Sequence, residues 1–218
     1  LPGKPTLGQM IRRVLALVPE LPRLRLSSLD PAEVDQDLFR LIAEEPRLMP
    51  HIHISLQAGD DMILKRMKRR HLRNDAIFFT KQLQSLRHDI VFGADLIAGF
   101  PTETEEMHQN SLRIVEECAL TYLHVFPYSA RKGTPAARMP QLPGDIIKER
   151  AQNLRHKGEI ALKKFFKSRI GQRAYVLIEK EGFGHCEHFC SIRLPHDPTS
   201  SLIGQIVEVY ISEMDDKT

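Results

Sequence analysis

The stretch Gly93-Ala94-Asp95-Leu96-Ile97-Ala98-Gly99-Phe100-Pro101-Thr102-Glu103-Thr104-Glu105-Glu106 decides the fold. Apolar residues run up to Gly99, the chain turns at Pro101, and acidic residues open a helix. This is how a buried parallel strand hands over to the helix of a βα unit. In this reading Thr102 caps the helix and Glu105, three residues on, reaches back to the cap's own N–H. The acidic first turn complements the helix dipole. Gly99 stands at the carboxyl end of the strand, the edge on which α/β folds place their ligands. The turn is therefore expected to border an active site.

Other units of the same kind flank it. Pro50 to Gln57 alternates strictly, with His51, His53, Ser55 and Gln57 on one face and Ile52, Ile54 and Leu56 on the other. If helices cover the isoleucine face, the polar face points into a barrel or crevice, which is natural around a ligand. Tyr122 to Tyr128 reads as a further strand, and Arg23 to Ser28 as another. Helical spacing over residues 6–18, a helix from the cap Asp30 to about Glu44, a short basic helix after Gly59-Asp60-Asp61, and a helix capped by Asn74 and running to Arg87 fill the gaps. The order predicts an α/β fold, a partial parallel (β/α) barrel or an open parallel sheet. Ser27, Ser28, Gln57, Gly99 and Tyr128 then ring one mouth.

A long helix from about Asp145 to Arg169 reads as a connector. From Gly171 the period changes to two, over 174–179, 188–194 and 203–211, with turn residues between. The expected domains are residues 1–170 and a small all-β barrel over residues 171–218.

The 218 residues carry 42% hydrophobic and 27% charged side chains, ordinary values for a soluble globular protein. No apolar run approaches the roughly 20 residues of a membrane helix, and the N-terminus lacks the order of a signal peptide. Three cysteines make no disulfide framework, so a cytoplasmic location without membrane contact is expected. The net charge of +3 is uneven: residues 171–218 hold four basic and eight acidic groups, net −4, leaving +7 on residues 1–170. A basic first part suits a polyanion such as nucleic acid.

His51-Ile52-His53 puts two imidazoles on one side of a strand, as zinc sites do. Further ligands from His88, Asp95 or His124 lack diagnostic spacing, so the reading is hydrogen-bonded histidines and no metal. Cys186-Glu187-His188-Phe189-Cys190 is not an iron–sulfur motif, because Arg193 stands where a third cysteine would be. Both cysteines are expected to be buried, as is Cys118. The basic run Lys65 to Arg73 is either a solvated face or a set of anion contacts, and Arg131 and Lys132 converge on the same mouth.

Five ordered segments resemble the radical S-adenosylmethionine methylthiotransferases: Leu26 to Pro31, His53 to Gly59, Leu64 to Arg70, Asp95 to Glu103, and Phe126 to Ala137. Ser-Ser-Leu-Asp-Pro and Leu-His-Val-Phe-Pro-Tyr-Ser are most similar to the branch that acts on threonylcarbamoyladenosine 37 of the tRNA anticodon loop. The resemblance implies S-adenosylmethionine and 4Fe-4S clusters as cofactors, an electron donor and tRNA as partners, and a TRAM-like RNA-binding domain over residues 171–218. It implies that Ile97 and Gly99 lie against the adenine and that Ser55 and Gln57 hold the ribose or methionine. Arg69 takes the methionine carboxylate, and Arg70, Arg131 and Lys132 contact RNA. No Cys-x3-Cys-x2-Cys occurs. The expectation is therefore a C-terminal portion of the enzyme, inactive alone and poorly soluble through an open sheet edge. The alternatives are a non-catalytic RNA-binding remnant and, last, a His-x-His metal hydrolase.

Overall fold

The computed structural model describes residues 4–194 and 202–215. The chain is α/β and divides into two compact units, Leu1–Ala161 and Leu162–Thr218.

In the first unit, β1 (Leu24–Leu29), β2 (Leu48–Gln57), β3 (Val91–Ala98) and β4 (Leu120–Pro127) form one parallel sheet in chain order. The helices α1 (Leu7–Leu17), α2 (Gln36–Glu44), α4 (Arg73–Leu86) and α5 (Glu105–Glu117) cover one face, with the short α3 (Asp61–Arg66) between β2 and α4. The alternation of β2 explains the layering. Ile52, Ile54 and Leu56 are fully buried and share a core with Phe92, Ala94 and Leu96 of β3, Leu38 of α2, Leu83 of α4 and Ile114 of α5. Ala151 and Leu154 of α6 (Gly144–Arg169) join the same core. Cys118 ends α5 there, and burial pushes its thiol up to about 11.

Three local expectations are corrected. Thr104, not Thr102, caps α5 by accepting from Met107 N–H at 3.3 Å. Thr102 instead occupies a left-handed conformation in the turn, with φ +66°. Asp30 caps only a single 3₁₀ turn, Pro31–Glu33, and α2 starts afresh with Asp35 accepting from Leu38 N–H. The cap position of α4 is Leu72, two residues before Asn74, and its N–H is satisfied by Asp75.

The second unit is an antiparallel sheet in the order β7-β6-β5-β8, from β5 (Arg173–Lys180), β6 (Phe183–Cys186), β7 (Ser191–Arg193) and β8 (Ile206–Tyr210). The correction here is β6: the period-two reading starts a strand at His188, whereas Cys186 to Cys190 is a tight turn between β6 and β7. Gly184 in β6 is obligatory, since a Cβ there would meet the Leu177 carbonyl at 2.0 Å. The core of this unit is small: Ala174, Val176, Ile178, Cys186 and Cys190 are its buried members. No helix among the described residues is long and apolar enough to cross a membrane.

Candidate active-site face

The face of the parallel sheet turned away from the core is polar. Parallel register sets Gly93 beside Tyr122, Asp95 beside His124 and Ile97 beside Phe126. His53 of β2 reaches across, its Nε2 3.0 Å from Asp95 Oδ1, while His124 Nδ1 lies 3.3 Å from that same oxygen. Gly93 makes this possible, because a Cβ there would stand 2.7 Å from His53 Nδ1. The ligand atoms of His53, Asp95 and His124 lie within 4.8 Å of one another. The two imidazoles share the Asp95 carboxylate.

Toward the carboxyl ends the backbone becomes unusual. Ser28 near the end of β1, Gln57 at the end of β2 and Gly99 after β3 all have left-handed φ, at +54°, +70° and +73°. Non-glycine residues in that region cost of order 1–3 kcal/mol each and cluster at functional sites. The loops that follow are joined by a separate apolar cluster of Ala58, Ile63, Leu64 and Phe100, against which Met67, Tyr128 and Met139 pack. Phe100 and Tyr128 meet edge to face at 5.3 Å.

Two ionic knots, one half-buried and one buried, hold this edge. Asp30 accepts from Ala32 N–H at 3.0 Å and Arg69 Nη2 at 3.2 Å, and lies 3.2 Å from His71 Nδ1. Burial alone would raise the Asp30 carboxyl, but Ala32 N–H, Arg69 and His71 together hold it below its ordinary value. Arg69 Nη2 also donates to the Ser55 carbonyl at 2.8 Å, and His71 Nε2 lies 3.1 Å from the Leu56 carbonyl. Both tie the end of β2 to the turn after β1. In the second knot, Glu103 folds back to accept from Gly99 N–H at 3.2 Å, and Arg150 of α6 donates to the Glu103 carboxylate at 2.9 Å and to its carbonyl at 2.8 Å. Burial raises the Glu103 carboxyl above its ordinary value despite Arg150 and Gly99 N–H. His108 beside them is pushed below its ordinary value by burial and by Arg150.

The residues expected from the sequence are distributed as follows. Ser55, Gln57, Ile97, Gly99 and Arg69 all lie on or around the carboxyl half of β2 and β3. Gly99 is also required by packing, since a Cβ would meet Ile147 of α6 at 2.8–3.0 Å. Arg70 is exposed and pairs with Glu33 and Asp30. Arg131 and Lys132 are exposed in the loop after β4. Arg73, from the same basic run, is structural: its Nη1 donates to the Gly59 and Asn110 carbonyls at 2.5 and 2.7 Å. Asp30, His71, Glu103 and Arg150 were missed. Leu29-Asp30-Pro31 and Phe100-Pro101-Thr102-Glu103 carried a readable signal, an acid beside a proline turn, but not the distant partner.

The donor set decides which cofactors fit. Arg69 Nε and Tyr128 Oη are buried with no hydrogen-bond partner among the described residues. With Ser55 and Gln57 they offer hydrogen-bonding groups to a polar ligand such as S-adenosylmethionine. An iron–sulfur cluster is not fitted by these residues: Cys118 is in the core and Cys186 and Cys190 are in the second unit.

No family model matches the chain. A solved structure of coproporphyrinogen III oxidase from Escherichia coli, described as a radical SAM enzyme, superposes with a TM-score of 0.53 at 16% identity, covering 89% of this chain and 42% of that one. The α/β fold is thus shared with part of that structure. Threonylcarbamoyladenosine tRNA methylthiotransferase MtaB of Rickettsia prowazekii is 59% identical over 194 residues, 89% of this chain and 46% of that protein. The tRNA-2-methylthio-N(6)-dimethylallyladenosine synthases of Rickettsia typhi and Ehrlichia chaffeensis are each 34% identical, over 95% and 94% of this chain and 48% of each of those proteins. Over most of its length the chain is thus similar to tRNA methylthiotransferases and 2-methylthio synthases, and it spans about half the length of the curated relatives it matches.

Proposed function

We propose that this chain is part of a tRNA methylthiotransferase that places a methylthio group on C2 of N6-threonylcarbamoyladenosine in the anticodon loop. The observation that carries the reading is the 59% identity with a relative of that name over 194 residues. The carboxyl edge of the parallel sheet supplies its chemistry. S-adenosylmethionine, when bound, supplies the radical and the methyl group. Ser55 and Gln57 bind its ribose or methionine, Ile97 packs on its adenine, and Arg69 offers its buried Nε–H to the carboxylate. The knot of Glu103 and Arg150 fixes the Gly99 turn. Ile63, Leu64 and Phe100 keep water from the loop bases, which protects a reactive intermediate. These residues include no cysteine that could hold a cluster. Arg70, Arg131 and Lys132 contact the tRNA backbone. The antiparallel unit acts as a TRAM-like RNA-binding domain over residues 171–218, and the enzyme works in the cytoplasm with an electron donor.

Disrupting the gene for this chain and digesting total tRNA to nucleosides for mass spectrometry tests the reading. Loss of 2-methylthio-N6-threonylcarbamoyladenosine, with its unthiolated precursor accumulating, is expected; an unchanged modified nucleoside would overturn it. The net charge of +7 on residues 1–170 also supports a second reading, non-catalytic RNA binding. That reading predicts tRNA binding by the chain with no change in nucleoside content on disruption.

A further inference from the structure

The unit Leu162–Thr218 contains a cluster that the proposed reaction leaves unused. Strand β6 ends at Cys186, and the chain turns through Glu187, His188 and Phe189 to Cys190 before β7. Cys190 accepts from Cys186 N–H and Cys186 accepts from Phe189 N–H, both at 3.0 Å through their carbonyls, and Phe189 has φ +69°. This tight turn folds the side chains inward: Cys186, Cys190 and His188 are 0%, 3% and 4% exposed. All three cysteines of the protein are free thiols, and two of them meet here.

The donors converge. The Cys186 sulfur, a His188 ring nitrogen and a Glu187 carboxylate oxygen lie within 4.8 Å of one another. Cys190 donates its thiol to the Cys186 sulfur, and the backbone N–H groups of His188 and Cys190 are directed at that same sulfur. Glu187 is fixed from outside the turn, its Oε2 accepting from Tyr175 N–H at 2.9 Å, while its Oε1 lies 3.7 Å from His188 Nδ1.

We propose that Cys186, His188 and Cys190, with Glu187 as fourth donor, form a binding site for one soft divalent cation of the zinc class. Two sulfurs, one imidazole and one carboxylate are the donor types of a closed tetrahedral zinc site, whereas magnesium and calcium take oxygen sets. Tetrahedral bonds of about 2.0–2.3 Å place donors roughly 3.3–3.8 Å apart, so a contraction of about an ångström closes Cys186, Glu187 and His188 on an ion, while the Cys190 thiol, held against Cys186, has further to move. Backbone N–H groups aimed at a sulfur pre-orient it as a ligand. The unit also has use for a metal: two of its five buried core residues are these cysteines, and small domains with thin cores rely on metals or cross-links.

The test is cobalt titration of the 218-residue chain, stripped with chelator and held under reductant. One equivalent of Co²⁺ is expected to give the visible bands of a tetrahedral ion together with a thiolate-to-cobalt charge-transfer band, both abolished by one equivalent of Zn²⁺. Cys186→Ser and Cys190→Ser each cut the intensity of the charge-transfer band, the double variant loses it, and Cys118→Ser retains it in full. Absence of that band in the parent chain overturns the proposal, as does its survival at full intensity in Cys186→Ser. Cobalt bands without charge transfer that vanish in His53→Ala would place the ion on the parallel sheet and also overturn it. If the serine variants fail to fold, thiol modification of the parent chain decides: zinc is expected to slow labelling of Cys186 and Cys190 but not Cys118, and equal rates with and without zinc contradict the site.

Discussion

The two units solve the problem of buried polar groups in opposite ways. In Leu1–Ala161 a large apolar core lies on one side of the sheet, and polar side chains on the loops and the far face are matched by long-range partners: Asp30 with Arg69 and His71, Glu103 with Arg150, Asp95 with His53 and His124. In Leu162–Thr218 the core is thin, and its buried cysteines and His188 are local in sequence, within the five residues Cys186 to Cys190. A large core can hold charged side chains in fixed positions at a sheet edge, as binding requires. A thin one leaves its polar groups to stabilise the fold itself.

The sharpest way to break this contrast is Arg150→Met. It leaves the Glu103 carboxylate, 2% exposed, without its buried partner, and removing one member of such a pair costs about 3–5 kcal/mol. Hydrogen exchange should show β2 to β4 losing protection while β5 to β8 keep theirs; uniform loss would mean that the units do not stand apart. Gly99→Ala comes next. The left-handed φ and the contact with Ile147 together predict a loss of about 2–4 kcal/mol in denaturant unfolding. Unchanged stability would mean that glycine serves the ligand alone.

A smaller effect tests where tRNA sits. Arg131→Ala with Lys132→Ala should weaken tRNA binding several-fold and lower the logarithmic salt slope by about 0.7–0.9 per charge. Arg173→Ala with Arg193→Ala in the acidic unit should do less, and the reverse order in a gel shift would assign RNA to the second unit. The smallest effect is a pH dependence. His108 has a folded value below its ordinary 6.5 because it is buried beside Arg150. The neutral ring is thus favoured in the fold: its contribution is complete above 6.5 and is lost as pH falls through the folded value. His108→Gln should flatten acid destabilisation over that window, and an unchanged pH profile would remove His108 from the account.

Much of the first unit was legible. Strict alternation in Pro50 to Gln57 specified both faces of β2, and the Gly-Phe-Pro turn marked the edge where Gly99 and Gln57 were found. The misread helix start has a local cause. Thr102 and Thr104 both precede an acidic run, and only the fold-back of Glu103 onto Gly99 N–H, clamped by Arg150 from 47 residues away, moves the cap to Thr104. Pairings such as Arg69 with Asp30 depend on which loops meet at the sheet edge, and no local pattern encodes that. In the second unit, Cys186 to Cys190 does not follow the period of a strand, and its chemistry emerges only when the turn folds the three side chains inward.

The most direct test of the central claim, that the carboxyl edge of the parallel sheet is the wall of an S-adenosylmethionine pocket, is hydrogen–deuterium exchange of the chain with and without S-adenosylmethionine. Slowed exchange in residues 55–59 and 97–104, with residues 173–194 unchanged, is the expected result. Slowed exchange confined to residues 173–194, or none at saturating ligand, would contradict it.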